Sequence, residues 1–457
     1  MRKNKRIAGS SAHVRLTLSW VGAAIAAAIM LWPASFASAQ SRWANYLDPS
    51  VIREIVYRDG DLYMATQGGL LVYDIASGRF TQYTNADGLP SNNLNGLALN
   101  SDGDIYVATA DAGVTKVRLS GGSLSLLRSL NQQIDGIAGN VIHSVTNWDG
   151  DIVYGTTEGA GVIINDFAAS VYQLGDGMPS NLVVDVLAAG DHVWMATDSG
   201  IVALDRFDLL QRPSGGPTAA NVVGWDGQLV WVGTDEGVWT LDTGDSTWSQ
   251  VGPAGRHIHS LHYDGQTMRA GGTRNYWEYE GGSTWTSFSL NPLYSEYSMN
   301  GARSEIRGLV ALAADDVYAG GGDPAIEKGV NLAHWDGQSM VDIAPPNAPG
   351  GNKIIRLSVD VDGSVWASFA GFWVGKLTPG GRWFNYNSTI PESDSLSNQF
   401  NNLTCLADSQ GFKWFCTLST PSNPKLLDRL DDKLDDDYTN DEWVHYGIGS
   451  GGGDHLG

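Results

Sequence analysis

Asp87-Gly88-Leu89-Pro90-Ser91-Asn92, then an apolar run, the turn Asp102-Gly103 and a second run Ile105-Tyr106-Val107-Ala108-Thr109, decide the fold, because the chain keeps repeating them. Asp135-Gly136-Ile137-Ala138-Gly139-Asn140 precedes Asp149-Gly150, and Asp176-Gly177-Met178-Pro179-Ser180-Asn181 precedes Gly190-Asp191 and another apolar run. Gly accepts positive φ, Pro fixes its own φ, and Ser or Asn side chains bond nearby backbone, so the hexapeptide reads as a stiff loop. Asp-Gly between two apolar runs predicts a hairpin with a two-residue type I′ turn. A third strand follows a Gly, as in Gly69–Asp74, Gly200–Asp205 and Gly237–Asp242. A fourth carries an aromatic pair or its remnant, at Phe80 and Tyr83, Trp248 and Val251, Trp285 and Phe288, Trp383 and Tyr386, and Trp443 and Tyr446. Four antiparallel strands per unit is the blade of a β-propeller, so the expected fold is all-β.

A Thr marks the end of each second strand: Thr66, Thr109, Thr156, Thr197, Thr234, Thr273 and Thr417, with Gly320 and Ser368 near the equivalent places. The spacing matches four-stranded blades, about 40 to 50 residues each. A large residue precedes the Thr by three (Tyr63, Tyr106, Trp194, Trp231, Trp414) and a small one stands just before it (Ala65, Ala108, Ala196, Gly233, Cys416). Such alternation lets neighbouring blades pack face to face, which makes most of the 17 Trp core residues rather than ligand platforms. Nine units are expected, near 43–83, 84–130, 131–173, 174–212, 213–251, 252–288, 289–343, 344–386 and 387–446. Single rings commonly hold about four to eight blades. Nine units therefore mean either one complete ring with a second begun, or some irregular units.

Residues 1–39 read as an export signal. Arg2, Lys3, Lys5 and Arg6 form a basic head, Leu16 to Leu31 is apolar, Pro33 breaks it, and Ala37-Ser38-Ala39 is a small-residue cleavage site. The alternative is an uncleaved anchor, since the apolar run is nearly long enough to span a bilayer. No span is expected in the mature chain. Cleavage removes five of the 28 basic residues and none of the 50 acidic ones, so the formal charge goes from −22 to −27. That surface repels phosphate backbones, which argues against nucleic acid as a partner. The acidic run from Asp431 to Glu442 lacks the central Gly of a calcium loop and reads as a solvated insertion.

The pattern Asp-Gly-Leu-Pro-Ser-Asn, Asp-x-Gly-x-(Trp/Tyr)-x-(Ala/Gly)-Thr, Gly-(Leu/Val) resembles the two-component regulator propeller repeats. The likeness is sharp over 43–242, fair over 350–446 and loose between, where Arg269-Ala270-Gly271-Gly272-Thr273 and Gly320-Gly321-Gly322 look more like a kelch double glycine. The resemblance implies an extracytoplasmic propeller, periplasmic, cell-surface or secreted, that senses or scaffolds, with a saccharide or an envelope protein as partner.

No nucleophile elbow, phosphate loop or zinc-helix motif is present, and no cofactor is expected. His257, His259 and His262 are the one metal-like cluster, but alternation along a strand lets at most two converge. No metal site is expected. The competing reading is a propeller hydrolase or lyase acting on polysaccharide, whose carboxylates would come from separate blades. Aligned first strands place one residue per blade at the mouth of a central channel: Arg53, Asn95, His143, Val184, His259, Arg307, Ile355 and Asn401. The polar members, Arg53, Asn95, His143, His259, Arg307 and Asn401, are the candidate ligand-binding ring, suited to a polar or anionic ligand such as an acidic sugar.

If Gln410-Gly411 is a two-residue turn, Cys405 falls directly opposite Cys416, close enough for a cross-strand disulfide in an exported protein. The alternative is two small buried thiols. Trp43-Ala44-Asn45-Tyr46 repeats the fourth-strand motif and would complete the last blade. Residues 447–457 read as the opening of a further repeat, so the chain is expected to be part of a longer one.

Overall fold

The computed structural model describes residues 45–290, 305–323, 328–343, 347–369, 374–386, 402–417, 425–435 and 440–447. Residues 1–44, which include the expected leader and Trp43, and residues 448–457 lie outside them. The described chain forms nine four-stranded antiparallel sheets, each built from four consecutive strands. Their first strands are Ile52–Arg58, Leu94–Leu99, Ile142–Trp148, Val183–Ala189, Val222–Trp225, Ile258–Tyr263, Glu305–Ala313, Ile354–Val359 and Asn402–Ala407.

The repeated residues have identifiable local work. In the opening loop the Asp87 carboxylate accepts the Thr84 N–H at 2.8 Å, Gly88 takes φ 112°, Asn92 accepts the Asn85 N–H, and the Ser91 hydroxyl accepts the Asn93 N–H. Asp176, Gly177, Asn181 and Ser180 do the same two blades later. The Thr hydroxyl closes the hairpin between second and third strands. Thr66 donates to the Gly69 carbonyl at 2.7 Å and accepts the Gly68 N–H at 3.0 Å, a pattern repeated at Thr109, Thr156, Thr197 and Thr234. Blades six and seven put Gly272 and Gly321 at that place, paired with Ile258 and Ile306. Thr273 instead bridges to Glu305 of the next blade.

The hairpins between first and second strands differ from blade to blade. Asp59-Gly60 and Asp149-Gly150 are two-residue turns with both residues at positive φ. Asp102-Gly103 ends a three-residue loop, with Asn100 bonded to Asp104 and only Gly103 at positive φ. Asp408 to Phe412 is built the same way. That extra residue shifts the register by one, so Cys405 pairs with Phe415 and Thr404 with Cys416. A one-residue slip turns a side chain to the other face. Cys405 therefore sits in the core against the Trp366 carbonyl, and both cysteines are free thiols, which corrects the expected disulfide.

Seven apolar cores, one at each seam, close the first seven blades into a ring. The closing seam joins Ile52, Ile55, Leu62 and Met64 of the first blade to Val310, Tyr318 and Leu332 of the seventh. The small residue before the Thr makes room for the next blade: a Cβ on Gly233 would lie 2.7 Å from Ile258, and one on Gly320 2.7 Å from Ile52. The ring closes without a borrowed strand, because the seventh blade supplies its own fourth, Met340–Ile343. Tyr46 instead packs edge-on against Trp383 of the eighth blade, and Asp48 exchanges two backbone hydrogen bonds with the Asn352 side chain.

Blades eight and nine pack on each other through Trp366, Tyr386, Phe415 and Trp443. At the same seam buried Lys376 pairs with Asp432, and buried Lys413 pairs with both Asp360 and Asp432. On the eighth blade's first strand Ile354, Leu357 and Val359 remain 45, 60 and 67 % exposed, where Ile52 and Ile55 of the first blade are 1 and 6 % exposed. Among the described residues no helix is long and apolar enough to cross a membrane.

Candidate functional site

The first strand of a blade runs beside the channel, and in the ring it carries a recurring irregularity. Register slips between Ile52 and Glu54, Leu94 and Gly96, Ile142 and Ser144, Val183 and Asp185, Ile258 and Ser260, and Ile306 and Gly308. One residue is left over each time: Arg53, Asn95, His143, Val184, His259 and Arg307. A bulge lets this residue and its successor both turn toward the same space. All six line one central cavity of about 1210 Å³.

In the fifth blade Asn221 occupies the matching place. Its amide donates to the Ile258 carbonyl at 3.2 Å, as Asn95 donates to Ile142 at 2.6 Å and Arg53 to Leu94 at 3.2 Å. Sequence alignment missed Asn221 because the regular strand begins only at Val222. In the eighth blade the bulged residue is Ile355, which does not line this cavity. In the ninth it is Leu403, not Asn401 two residues earlier. Asn401 itself lies outside the described residues.

The successors of the bulged residues brace neighbouring blades. Glu54 accepts the Leu97 N–H at 2.6 Å. Asp185 accepts the Ser144 hydroxyl at 2.8 Å and the Val223 N–H at 2.9 Å, and Ser260 donates to the Ile306 carbonyl at 2.9 Å. Burial, helped by the charge of Asp185, pushes the Glu54 carboxyl up to about 8. Burial also raises Asp185, against the pull of its hydrogen bonds. These two cavity carboxyls were unnoticed in the sequence because the same position is Gly or Ser in four other blades. They are groups whose protonation the channel controls.

The basic side of the cavity is arranged differently. Arg307, 46 % exposed, holds Glu305 through Nε and Nη2 at 2.9 and 2.7 Å. His259 Nδ1 is 3.9 Å from the same Glu305 carboxylate. His143 Nε2 is buried with no hydrogen-bond partner among the described residues. Burial lowers both histidines, and the Arg307 charge lowers them further, while Glu305 pulls His259 the other way. The ring therefore contains neutral imidazoles near a guanidinium. His257 pairs at 3.1 Å with Asp235, which also lines the cavity. Among the described residues no group of three His, Cys, Asp or Glu is placed to hold a metal ion.

No family model and no curated protein matches the chain. Solved structures do resemble it. An ancestral GH74 enzyme aligns with a TM-score of 0.61 and 13% identity, covering 88% of this chain and 64% of that one. The extracellular domain of a hybrid two component system from B. thetaiotaomicron aligns at 0.49 and 17% identity, covering 86% of this chain and 54% of that one. The extracellular domain of a one component system from the same organism gives 0.40 and 17%, covering 84% and 52%. The chain spans about half the length of these two sensor domains. At such identities the likeness is one of fold, and fold does not assign function.

Proposed function

We propose that the chain is an exported, non-catalytic β-propeller whose first-ring cavity binds a polar ligand, a saccharide foremost, in a sensing or scaffolding role. The observation that carries this is the convergence of one residue at the matching first-strand place of each of seven blades on a single cavity. Concave sites lined by a few fixed polar groups are where small ligands bind. The Asn, Arg and His side chains supply donors and acceptors in the mixture that sugar hydroxyls require. The leader read at residues 1–39 supports export, and the two-component regulator propeller resemblance supports a sensor or scaffold.

A polysaccharide hydrolase or lyase is the competing reading, and Glu54 favours it. A carboxyl that holds its proton at neutral pH meets one requirement of a general acid. Against it, the carboxylates of Glu54 and Asp185 are already engaged with backbone N–H groups across blade seams. Calorimetry on a panel of neutral and acidic oligosaccharides, run beside product analysis on the same panel, separates the readings. Saturable binding without turnover supports the proposal; bond cleavage that disappears in Glu54→Gln supports the enzyme.

A further inference from the structure

We propose that the cavity lined by Arg307 and His259 on adjacent blades, with His143 facing them from across it, receives an oxyanion, such as the carboxylate of an acidic saccharide, and that the two histidines take up protons when it binds. This rests on the binding reading above and adds the charge of the ligand and the pH dependence of its capture.

Three observations converge. All three residues occupy the bulged place in their first strands, so each faces the channel and none is a chance surface neighbour. His143 Nε2 is buried without a partner, and a buried polar atom left unmet is costly unless something else meets it. Arg307 spends Nε and Nη2 on Glu305, while Nη1 has no partner among the described residues. An anion placed against Nη1 would share one cavity with both imidazoles, and the Arg307 charge already acts on them there.

The neighbouring charges set the direction of the proton movement. His143 has Asp185 on the next blade and Arg307 across the cavity; His259 has Glu305 and Arg307 on one side and His257 and Asp235 on the other. Burial and Arg307 together keep both imidazoles neutral more readily than in water. An anion between them offsets the guanidinium and favours the imidazolium, so each protonated form is stabilised by the ligand. Linkage requires the converse: affinity for the anion rises as pH falls through the histidine range. A neutral sugar in the same cavity would show no such dependence.

The test uses the purified chain with histidine ring carbons labelled for NMR, titrated with galacturonate, with galactose as the neutral control and with inorganic phosphate. His143 and His259 are assigned by His→Gln variants. The expected result is an upward move of both histidine titrations, by about half a pH unit or more, with galacturonate or phosphate and none with galactose. Calorimetry in two buffers of different ionisation heat should show proton uptake with the anions only. In Arg307→Gln the His143 titration should start higher and the anion response should disappear. Phosphate acting as well as galacturonate would place the recognition in the charge alone, as proposed; galacturonate acting alone would add the sugar ring to it. Cavity binding of a neutral glycan with no histidine response to either anion would overturn this inference and leave the binding reading intact. No binding by any probe or by the oligosaccharide panel would overturn both.

Discussion

Glu54 of the first blade accepts the backbone N–H of Leu97 in the second at 2.6 Å, from a position where four other blades carry Gly or Ser. Burial raises its carboxyl from the usual 4.5 to about 8 in the folded chain. Because the folded value lies above the unfolded one, the contribution is fully present below about pH 4.5 and is lost as pH rises through about 8. Glu54→Gln keeps an acceptor for Leu97 but cannot ionise. Urea unfolding should find the two proteins alike near pH 5 and the variant more stable near pH 8.5 by roughly 1 to 3 kcal/mol. Parallel pH profiles would show that the carboxyl is not held protonated.

The ring seam depends on the fit of Ile52 against Gly320. A Cβ at Gly320 would sit 2.7 Å from the Ile52 Cβ, so Gly320→Ala should cost about 1 to 3 kcal/mol by overpacking. Ile52→Ala alone should cost about 2 to 5 kcal/mol by leaving a cavity. The double variant should be less damaged than the two losses summed, since each relieves the other. Additive losses would mean that the first and seventh blades do not meet as described.

Thr156 donates to the Gly159 carbonyl at 2.9 Å and accepts the Glu158 N–H at 2.9 Å. Thr156→Val keeps the shape and removes both bonds, leaving buried backbone groups unmet. A loss of about 1 to 3 kcal/mol is expected in thermal or urea unfolding. An unchanged midpoint would reduce the repeated Thr to a packing residue.

The two cysteines should remain reduced even in an oxidising environment. Cys405 is 5 % exposed, with burial pushing its thiol up, whereas Cys416 is only partly buried. A thiol reagent should find both in denatured, unreduced protein, and in native protein should label Cys416 well before Cys405. No titratable thiol in the denatured protein would restore the cross-strand bridge.

Turn chemistry made the blades legible, because Asp-Gly, the Thr hydroxyl and the small residue before it act locally and recur from unit to unit. What depends on a one-residue offset was read wrongly. The loop from Asp408 to Phe412 holds three residues between its paired ends where two were expected, and Cys405 turned away from Cys416. The duplicated Asn401-Asn402 displaced the ninth blade's alignment by two, so Leu403 replaced Asn401 at the bulge. Asn221 was invisible because it precedes its strand. Glu54 and Asp185 occupy a position filled by Gly or Ser in four other blades, so no repeated residue type marked it as charged. Ring closure after seven blades needed the seam itself, since no sequence signal distinguishes the seventh unit from the eighth as a neighbour of the first.

The central claim is that the first-ring cavity is the binding site, and paired calorimetry on wild type and His143→Ala/Arg307→Ala tests it most directly. These substitutions spare Arg53 and Asn95, whose side chains bridge the blades. With far-UV signal and unfolding midpoint retained, the variant should bind whichever oligosaccharide of the panel the wild type takes at least about tenfold more weakly, the loss of one to two charge-assisted hydrogen bonds. Equal affinity in the folded variant would contradict the account and move the site away from the channel.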